Sequence, residues 1–221
     1  MIVGSIKENT ALEKRVSLTP ETAKNIIGLG LKVCIEKNYA IHLGIADDEY
    51  KQIGVEIKDS TSEVFDLSNL IIKVNCPLEN EANDLKENTI LVGMFNPSKN
   101  KNQIDKIINK KIKVFSLELL PRITRAQSMD VLSSQSNLAG YRAVIDSVAE
   151  FEKAVPMMMT AAGTVPAAKI LVIGAGVAGL QAIATAKRLG AIVSATDVRA
   201  ASKEQVESLG GKFLTVEQNE D

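Results

Sequence analysis

Histidine, cysteine and net charge are all scarce in this 221-residue chain, and each shortage narrows what the protein can be. The one histidine, His42, lies in a predicted loop before a short helix, where a surface or structural role is favoured over a catalytic one. The two cysteines, Cys34 and Cys76, are far apart and are not spaced as a metal-binding pair. They indicate reduced, buried thiols in a cytosolic compartment rather than a disulfide. The sequence predicts no metal site.

The chain also lacks an excess of either charge, since 26 Lys and Arg residues against 27 Asp and Glu residues give a net charge of -1. This balance offers no electrostatic footprint for nucleic acid or an anionic membrane. The amino terminus has no basic region followed by a long apolar run, so no signal peptide is predicted. The apolar stretch from Ile170 to Ala186 is interrupted by glycines and is typical of a buried strand, turn and helix rather than a membrane span. A cytoplasmic globular protein without membrane insertion is expected.

The first 120 residues alternate short β-branched runs with helix-like segments, a pattern typical of parallel strands joined by crossover helices. Helices are predicted to begin at Thr19-Pro20, where Thr19 can cap and Pro20 suits the first turn, and at Pro97. The predicted strands are Ile2–Ile6, Leu31–Glu36, Leu70–Val74, Thr89–Met94 and Ile112–Ser116.

A second α/β domain is predicted after a long connecting helix. The predicted domains are residues 1–135, a linking helix and connector over 136–165, and a nucleotide-binding domain over 166–221. The last of these is predicted as strand Ile170–Ile173, helix Ala178–Leu189, strand Ile192–Thr196, helix Ala201–Leu209 and strand Lys212–Val216. The fold class is therefore α/β, with two Rossmann-like parallel-sheet domains joined by a long helix, and with one βαβαβ half of the second domain present.

A glycine motif follows the first strand of that second domain. It has the G-x-G-x-x-G spacing and consists of Gly174, Ala175, Gly176, Val177, Ala178 and Gly179. In this context Gly174 can make the tight turn, Gly176 can admit a pyrophosphate, and Gly179 can let the helix pack on the strand. The amino terminus of the following helix then binds the anion.

An acidic residue closes the motif at the end of the next strand, where Asp197 precedes Val198 and Arg199. The Asp197 carboxylate can accept hydrogen bonds from both hydroxyls of an adenosine ribose and would repel a 2′-phosphate, which favours NAD over NADP. Arg199 argues in the other direction. A glycine-rich turn followed by a solvent-facing aspartate is the structural alternative.

The segment Leu119–Asn137 is a predicted loop that is dense in hydrogen-bonding groups. Arg122 and Gln127 can donate and Asp130 can accept, so the three could fix a planar amide such as that of nicotinamide. A polar interdomain loop that caps the long helix explains the same residues equally well.

This loop, together with Asn137-Leu138-Ala139-Gly140-Tyr141-Arg142, resembles the NAD(H)-binding domain I of the proton-translocating NAD(P) transhydrogenases. Further likeness lies in Arg15–Pro20, in Lys73 and in Thr196–Ala201. The resemblance implies that the dihydronicotinamide ring is positioned by four residues, with Gln135 nearby. These four are Arg122, Gln127, Asp130 and Ser133.

The resemblance also implies partners and a reaction. The chain would hold NAD(H), a partner subunit would hold NADP(H), and hydride would pass directly between the two nicotinamide rings while a membrane subunit moves protons. Such a transfer requires orientation of the rings and no acid or base. A homodimer that is cytoplasmic and peripheral to the inner membrane is expected.

Two alternatives remain open. Alanine dehydrogenases are related, and Arg15 and Lys73 could clamp an oxo-acid carboxylate, but that chemistry needs a proton donor. Asn96 stands about where those enzymes have a histidine, and pairing of Arg15 and Lys73 with carboxylates is the preferred interpretation. The other alternative is a truncated remnant that only binds nucleotide, because the family's domain I is longer; the first strand of the second sheet would then expose its edge.

Overall fold

The computed structural model describes residues 1–215 and consists of two compact units, Met1–Met129 and Asp130–Asp221. Val216, the predicted end of the last strand, lies outside the described residues. No helix within residues 1–215 combines the length and the apolar character needed to cross a bilayer.

The first unit is built on a six-stranded parallel sheet. Its elements are β1 (Ile2–Ser5), α1 (Pro20–Gly28), β2 (Lys32–Glu36), α2 (Asp47–Gln52), β3 (Glu56–Lys58), α3 (Thr61–Leu67), β4 (Leu70–Ile72), α4 (Glu79–Asp84), β5 (Ile90–Gly93), α5 (Lys101–Asn109) and β6 (Lys113–Ser116). The strand order is β3-β2-β1-β4-β5-β6, and every pair is parallel. This is the order of a doubly wound dinucleotide-binding fold, so the predicted α/β class is confirmed.

Local sequence explains how α1 begins. The Thr19 hydroxyl accepts a hydrogen bond from the Thr22 backbone N–H, the Thr22 hydroxyl accepts one from the Thr19 N–H, and Pro20 occupies the first turn. A proline there removes a backbone N–H that has no partner within the helix. The predicted start of α1 is therefore correct, whereas α5 begins at Lys101, after a turn that follows Pro97.

Both faces of the sheet are covered. In β2, Cys34 packs into one hydrophobic cluster with Phe65 and Ile71, while its neighbours Val33 and Ile35 pack into a second cluster. This follows from the alternation of side chains along a strand, and burial on both faces is typical of a parallel sheet. Cys34 and Cys76 are both free thiols as expected, but Cys76 follows β4 in coil and is only partly buried.

The second unit contains α6 (Val131–Phe151), β7 (Met158–Thr160), β8 (Gly163–Val165), β9 (Lys169–Ile173), α7 (Val177–Arg188), β10 (Ile192–Thr196), α8 (Ser202–Ser208) and β11 (Lys212–Phe213). The order β11-β10-β9 is parallel throughout and corresponds to one βαβαβ half. Within the described residues β9 is an edge strand, and its alternate side chains Leu171 and Ile173 are exposed.

Two parts of this unit differ from the sequence expectation. The sequence predicts a loop up to Asn137, but α6 begins at Val131, because the Asp130 carboxylate caps its first turn. The sequence also predicts only a connector before β9, yet the antiparallel hairpin of β7 and β8 forms there, around a turn in which Gly163 has φ +128°.

A close approach of two helices organises the second unit. Gly140, in α6, is buried against the backbone of Ala178 in the first turn of α7. A methyl group at Gly140 would overlap the Ala178 carbonyl oxygen, so only glycine allows this approach. The two helices thus meet through their backbones.

Candidate functional site

The glycine turn lies between β9 and α7, at the carboxyl ends of β9 and β10. Gly174 has φ +96°, a conformation that residues with side chains rarely adopt, and its N–H donates to the Thr196 carbonyl at 2.8 Å. At Gly179 a methyl group would overlap the Gly174 carbonyl oxygen, so α7 can approach the turn only because that residue has no side chain.

The amino terminus of α7 is open at this turn. Gly176 is the N-cap residue, so no side chain caps the helix, and a methyl group at Gly176 would meet no atom within 4 Å. Backbone N–H groups in the first turn of a helix have no partner within the helix. With the positive end of the helix dipole, they make this terminus suited to an anion such as a pyrophosphate. Val177, the first residue of α7, is itself exposed.

Asp197 follows β10 and ties the turn to the neighbouring strand. Its Oδ2 accepts the N–H of Ala175 at 2.7 Å and the Arg199 Nη2 at 3.1 Å. Its Oδ1 accepts the Arg199 backbone N–H at 2.8 Å and Nε at 3.0 Å. The Arg199 guanidinium and the backbone donors hold the pKa of the Asp197 carboxyl well below its usual range, so this group is a carboxylate at neutral pH.

A cleft of about 890 Å³ opens beside these residues, within the size range of small-molecule and cofactor sites. It lies at the carboxyl ends of β9, β10 and β11, where parallel sheets bind ligands. Its lining includes Gly174, Asp197 and Val198, together with Lys203 and Phe213, which no sequence motif marks. Only the fold brings α8 and β11 to the same edge, so no local signal could have identified the last two.

Asp130 and Ser133 are joined at the start of α6. The Ser133 N–H donates to Asp130 Oδ1 at 2.9 Å, and the Ser133 hydroxyl donates to Oδ2 at 2.7 Å. Gln135 lies half-buried one turn from Asp130 on the same helix. Arg122 and Gln127 are exposed residues of the first unit, Gln127 within a 3₁₀ helix at Thr124–Met129. The structure thus brings together Asp130 and Ser133 from the predicted set.

The switch point of the first sheet, between β1 and β4, holds a second cleft of about 450 Å³. Lys73 is buried there, 3.1 Å from a Glu81 oxygen and 3.5 Å from a Glu8 oxygen. Two carboxylates therefore already neutralise the lysine that the alanine dehydrogenase alternative assigned to substrate. Asn96 also lines this cleft, and its N–H donates to the Glu118 carboxylate.

The other groups of that alternative have structural partners as well. Arg15 binds Glu13 at 2.6 Å and lowers the pKa of that carboxyl to about 2. The preferred interpretation of Arg15 and Lys73 as ion-paired residues is thus supported by their contacts. His42 Nε2 lies 2.8 Å from the Lys14 carbonyl oxygen in an exposed setting, and burial raises the pKa of Cys76 to about 11, which keeps it a thiol.

Two family models match the chain. Residues 4–139 match the alanine dehydrogenase/PNT N-terminal domain, and residues 143–221 match the alanine dehydrogenase/PNT C-terminal domain.

Individual relatives agree with these matches. A component of the NAD(P) transhydrogenase alpha subunit of Rhodospirillum rubrum is 50% identical over 98% of the chain, which spans 58% of that relative's length. The solved structure of transhydrogenase from Sinorhizobium meliloti is 49% identical with a TM-score of 0.94, over 97% of this chain and 64% of that one. An alanine dehydrogenase of Methanococcus maripaludis is 30% identical over 97% of the chain and 58% of its own length.

Proposed function

Because the chain belongs to the alanine dehydrogenase/PNT family, and within it to the NAD(P) transhydrogenase alpha subunits, we propose that it is an NAD(H)-binding transhydrogenase component. In this proposal it takes part in direct hydride transfer between NAD(H) and NADP(H), and membrane subunits couple the transfer to proton translocation.

The observation that carries the proposal is the turn at Gly174–Gly179 with Asp197 beside it. Gly176 leaves open space at the uncapped terminus of α7, where the pyrophosphate would lie. Gly174, Ala175, Val177, Ala178 and Gly179 would form the rest of this cradle. A fit of this kind concerns the adenosine and pyrophosphate half of the cofactor.

The nucleotide is proposed to be NAD(H) rather than NADP(H). Asp197 is negatively charged and would accept the ribose hydroxyls, whereas its charge would repel a 2′-phosphate. Val198 and Arg199 would flank the adenosine, since Val198 is 96% exposed at the rim of the cleft.

The nicotinamide ring is proposed to be held by Arg122, Gln127, Asp130 and Ser133, with Gln135 nearby. The Ser133 hydroxyl donates to Asp130 and keeps lone pairs that can accept from the ring's amide. When both cofactors are bound, they supply the hydride donor and the hydride acceptor. The task of these residues is to fix the ring at near-attack distance and to exclude water.

The proposed partners are an NADP(H)-binding component, membrane subunits and a second copy of the chain. Because the chain spans 58% of its transhydrogenase relative, these assignments belong to the proposal. The chain would then be cytoplasmic and attached to the inner membrane through those partners.

The alanine dehydrogenase alternative is disfavoured by two contacts. Lys73 is neutralised by Glu8 and Glu81, and Asn96, which cannot titrate, occupies the place where a proton donor is required.

The first experiment is a titration of the purified chain with NADH, followed by nucleotide fluorescence. The second mixes the chain with the NADP(H)-binding component of a transhydrogenase and follows reduction of an NAD analogue by NADPH, with the Rhodospirillum rubrum relative as active control.

The outcomes separate the alternatives. NADH binding with hydride transfer supports the full proposal, and NADH binding without transfer reduces it to nucleotide binding alone. Formation of NADH that depends on alanine would support the dehydrogenase instead. A chain that is folded by circular dichroism yet binds no NADH contradicts the proposed function.

A further inference from the structure

All four acceptor positions of the Asp197 carboxylate are occupied within the chain. Each oxygen of a carboxylate has about two lone-pair sites. Oδ1 receives the Arg199 backbone N–H and Nε, while Oδ2 receives the Ala175 N–H and the Arg199 Nη2. A ribose hydroxyl therefore cannot donate to Asp197 unless one of these four donors leaves.

Two of the four donors are fixed and two can move. The Ala175 and Arg199 N–H groups belong to the backbone of the turn and of the segment after β10. Nε and Nη2 belong to a side chain that is 61% exposed, whereas the Asp197 side chain is 6% exposed. Each carboxylate oxygen thus carries one movable donor, which matches a ligand that presents two neighbouring hydroxyls.

From this arrangement we infer that Arg199 is a specificity-determining residue that competes with the ribose diol of the nucleotide for Asp197. The inference rests on the proposed NAD(H) site. NAD(H) binds by displacing the guanidinium from both oxygens, so Arg199 lowers the affinity for NAD(H).

The same side chain acts in the opposite direction on a 2′-phosphorylated nucleotide. A displaced guanidinium remains attached two residues from Asp197, and Lys203 lines the same cleft. Both cations offset the repulsion between the Asp197 carboxylate and a 2′-phosphate. Arg199 therefore narrows the preference of the chain for NAD(H) over NADP(H).

The test compares the wild-type chain with Arg199→Ala in titrations with NADH and with NADPH. NADH affinity should rise about two- to fivefold in the variant, the range expected when an exposed ion pair is removed. NADPH affinity should stay constant or fall. Because salt screens exposed ion pairs, the gain in NADH affinity should shrink as ionic strength increases.

Arg188→Ala is the matched control, because Arg188 is an exposed arginine at the far end of α7 and its loss changes the net charge equally. It should leave both affinities unchanged at moderate salt.

Weaker NADH binding in Arg199→Ala would overturn the inference, since the guanidinium would then contact the nucleotide rather than compete with it. Unchanged NADH binding would overturn it as well. In both cases the wild-type chain still binds NADH, so failure of this inference is distinct from failure of the proposed function.

Discussion

The backbone N–H of Ala175 donates to Oδ2 of Asp197 at 2.7 Å and so connects the glycine turn to the end of the neighbouring strand, 22 residues later. The carboxylate thereby stabilises the turn and is proposed to recognise the ribose. Its substitution should affect both properties.

We expect Asp197→Ala to weaken NADH binding at least about tenfold, because the acceptor for the ribose hydroxyls is lost. The variant should also unfold at a lower temperature, since the Ala175 N–H loses its partner. Calorimetric titration and thermal denaturation measure the two effects. Asp146→Asn, which removes an exposed carboxylate paired with Arg142 on α6, is the control, and an unaltered NADH affinity in Asp197→Ala would rule out the proposed role.

Gly176 and Gly179 should respond differently to the same added methyl group. At Gly176, which has no neighbouring atom within 4 Å, alanine should leave the melting temperature nearly unchanged but reduce NADH affinity at least about tenfold, because the methyl group takes the space of the pyrophosphate. NADH binding at wild-type strength by Gly176→Ala would place the pyrophosphate elsewhere.

In Gly179→Ala the methyl group overlaps the Gly174 carbonyl oxygen. The resulting strain between α7 and the turn should lower the free energy of unfolding by about 1–3 kcal/mol. Chemical denaturation measures this loss, and wild-type stability would show that α7 can shift at no cost.

Two substitutions of Asp130 can separate its cap from its proposed role at the nicotinamide. Serine is also a good N-cap, so Asp130→Ser should keep the stability of α6, whereas Asp130→Ala should lose about 1 kcal/mol. Both should lose hydride transfer in the reconstituted assay if the carboxylate holds the ring. If Asp130→Ser transfers hydride at the wild-type rate, the residue is only a cap.

The ion pair of Glu13 and Arg15 should make the first unit sensitive to acid. The pKa of Glu13 is about 2 in the folded chain against an ordinary value of 4.5, so the unfolded chain takes up the proton first. The pair therefore contributes stability above pH 4.5, and this contribution is lost as the pH falls from 4.5 to 2.

Glu13→Gln should remove this part of the pH dependence. Urea denaturation at about pH 6 and about pH 3, on either side of the ordinary carboxyl pKa, should show a smaller difference in midpoint for the variant than for the wild type. Glu21→Gln, which removes an exposed carboxylate from α1, serves as comparison, and equal pH dependence in Glu13→Gln and the wild type would contradict the assignment.

The elements around the glycine turn could be predicted to within one residue because their signals are local. β9 is an apolar run, the glycines mark the turn, and β10 ends where Asp197 begins. The start of α6 was missed because Ser133, Ser134 and Ser136 favour loops, and the cap that overcomes this preference depends on the position of the Asp130 side chain.

The state of Asp197 was beyond reach of the sequence for a different reason. Its spacing from Gly174 predicts a carboxylate at the ribose position, but the side-chain conformation that brings Arg199 onto both oxygens is not encoded by spacing. The proposed roles of Arg122 and Gln127 stay predictions.

The backbone contact between Gly140 and Ala178 gives α6 the character of a ruler. Gly140 lies ten residues after Asp130, which corresponds to roughly 15 Å along a helix axis. One end of this span carries the residues proposed to hold the nicotinamide, and the other end is attached to the turn proposed to hold the pyrophosphate. With no flexible side chain between the two helices, the span has little freedom to stretch. The separation of these two points is therefore a built-in length against which an extended dinucleotide can be measured.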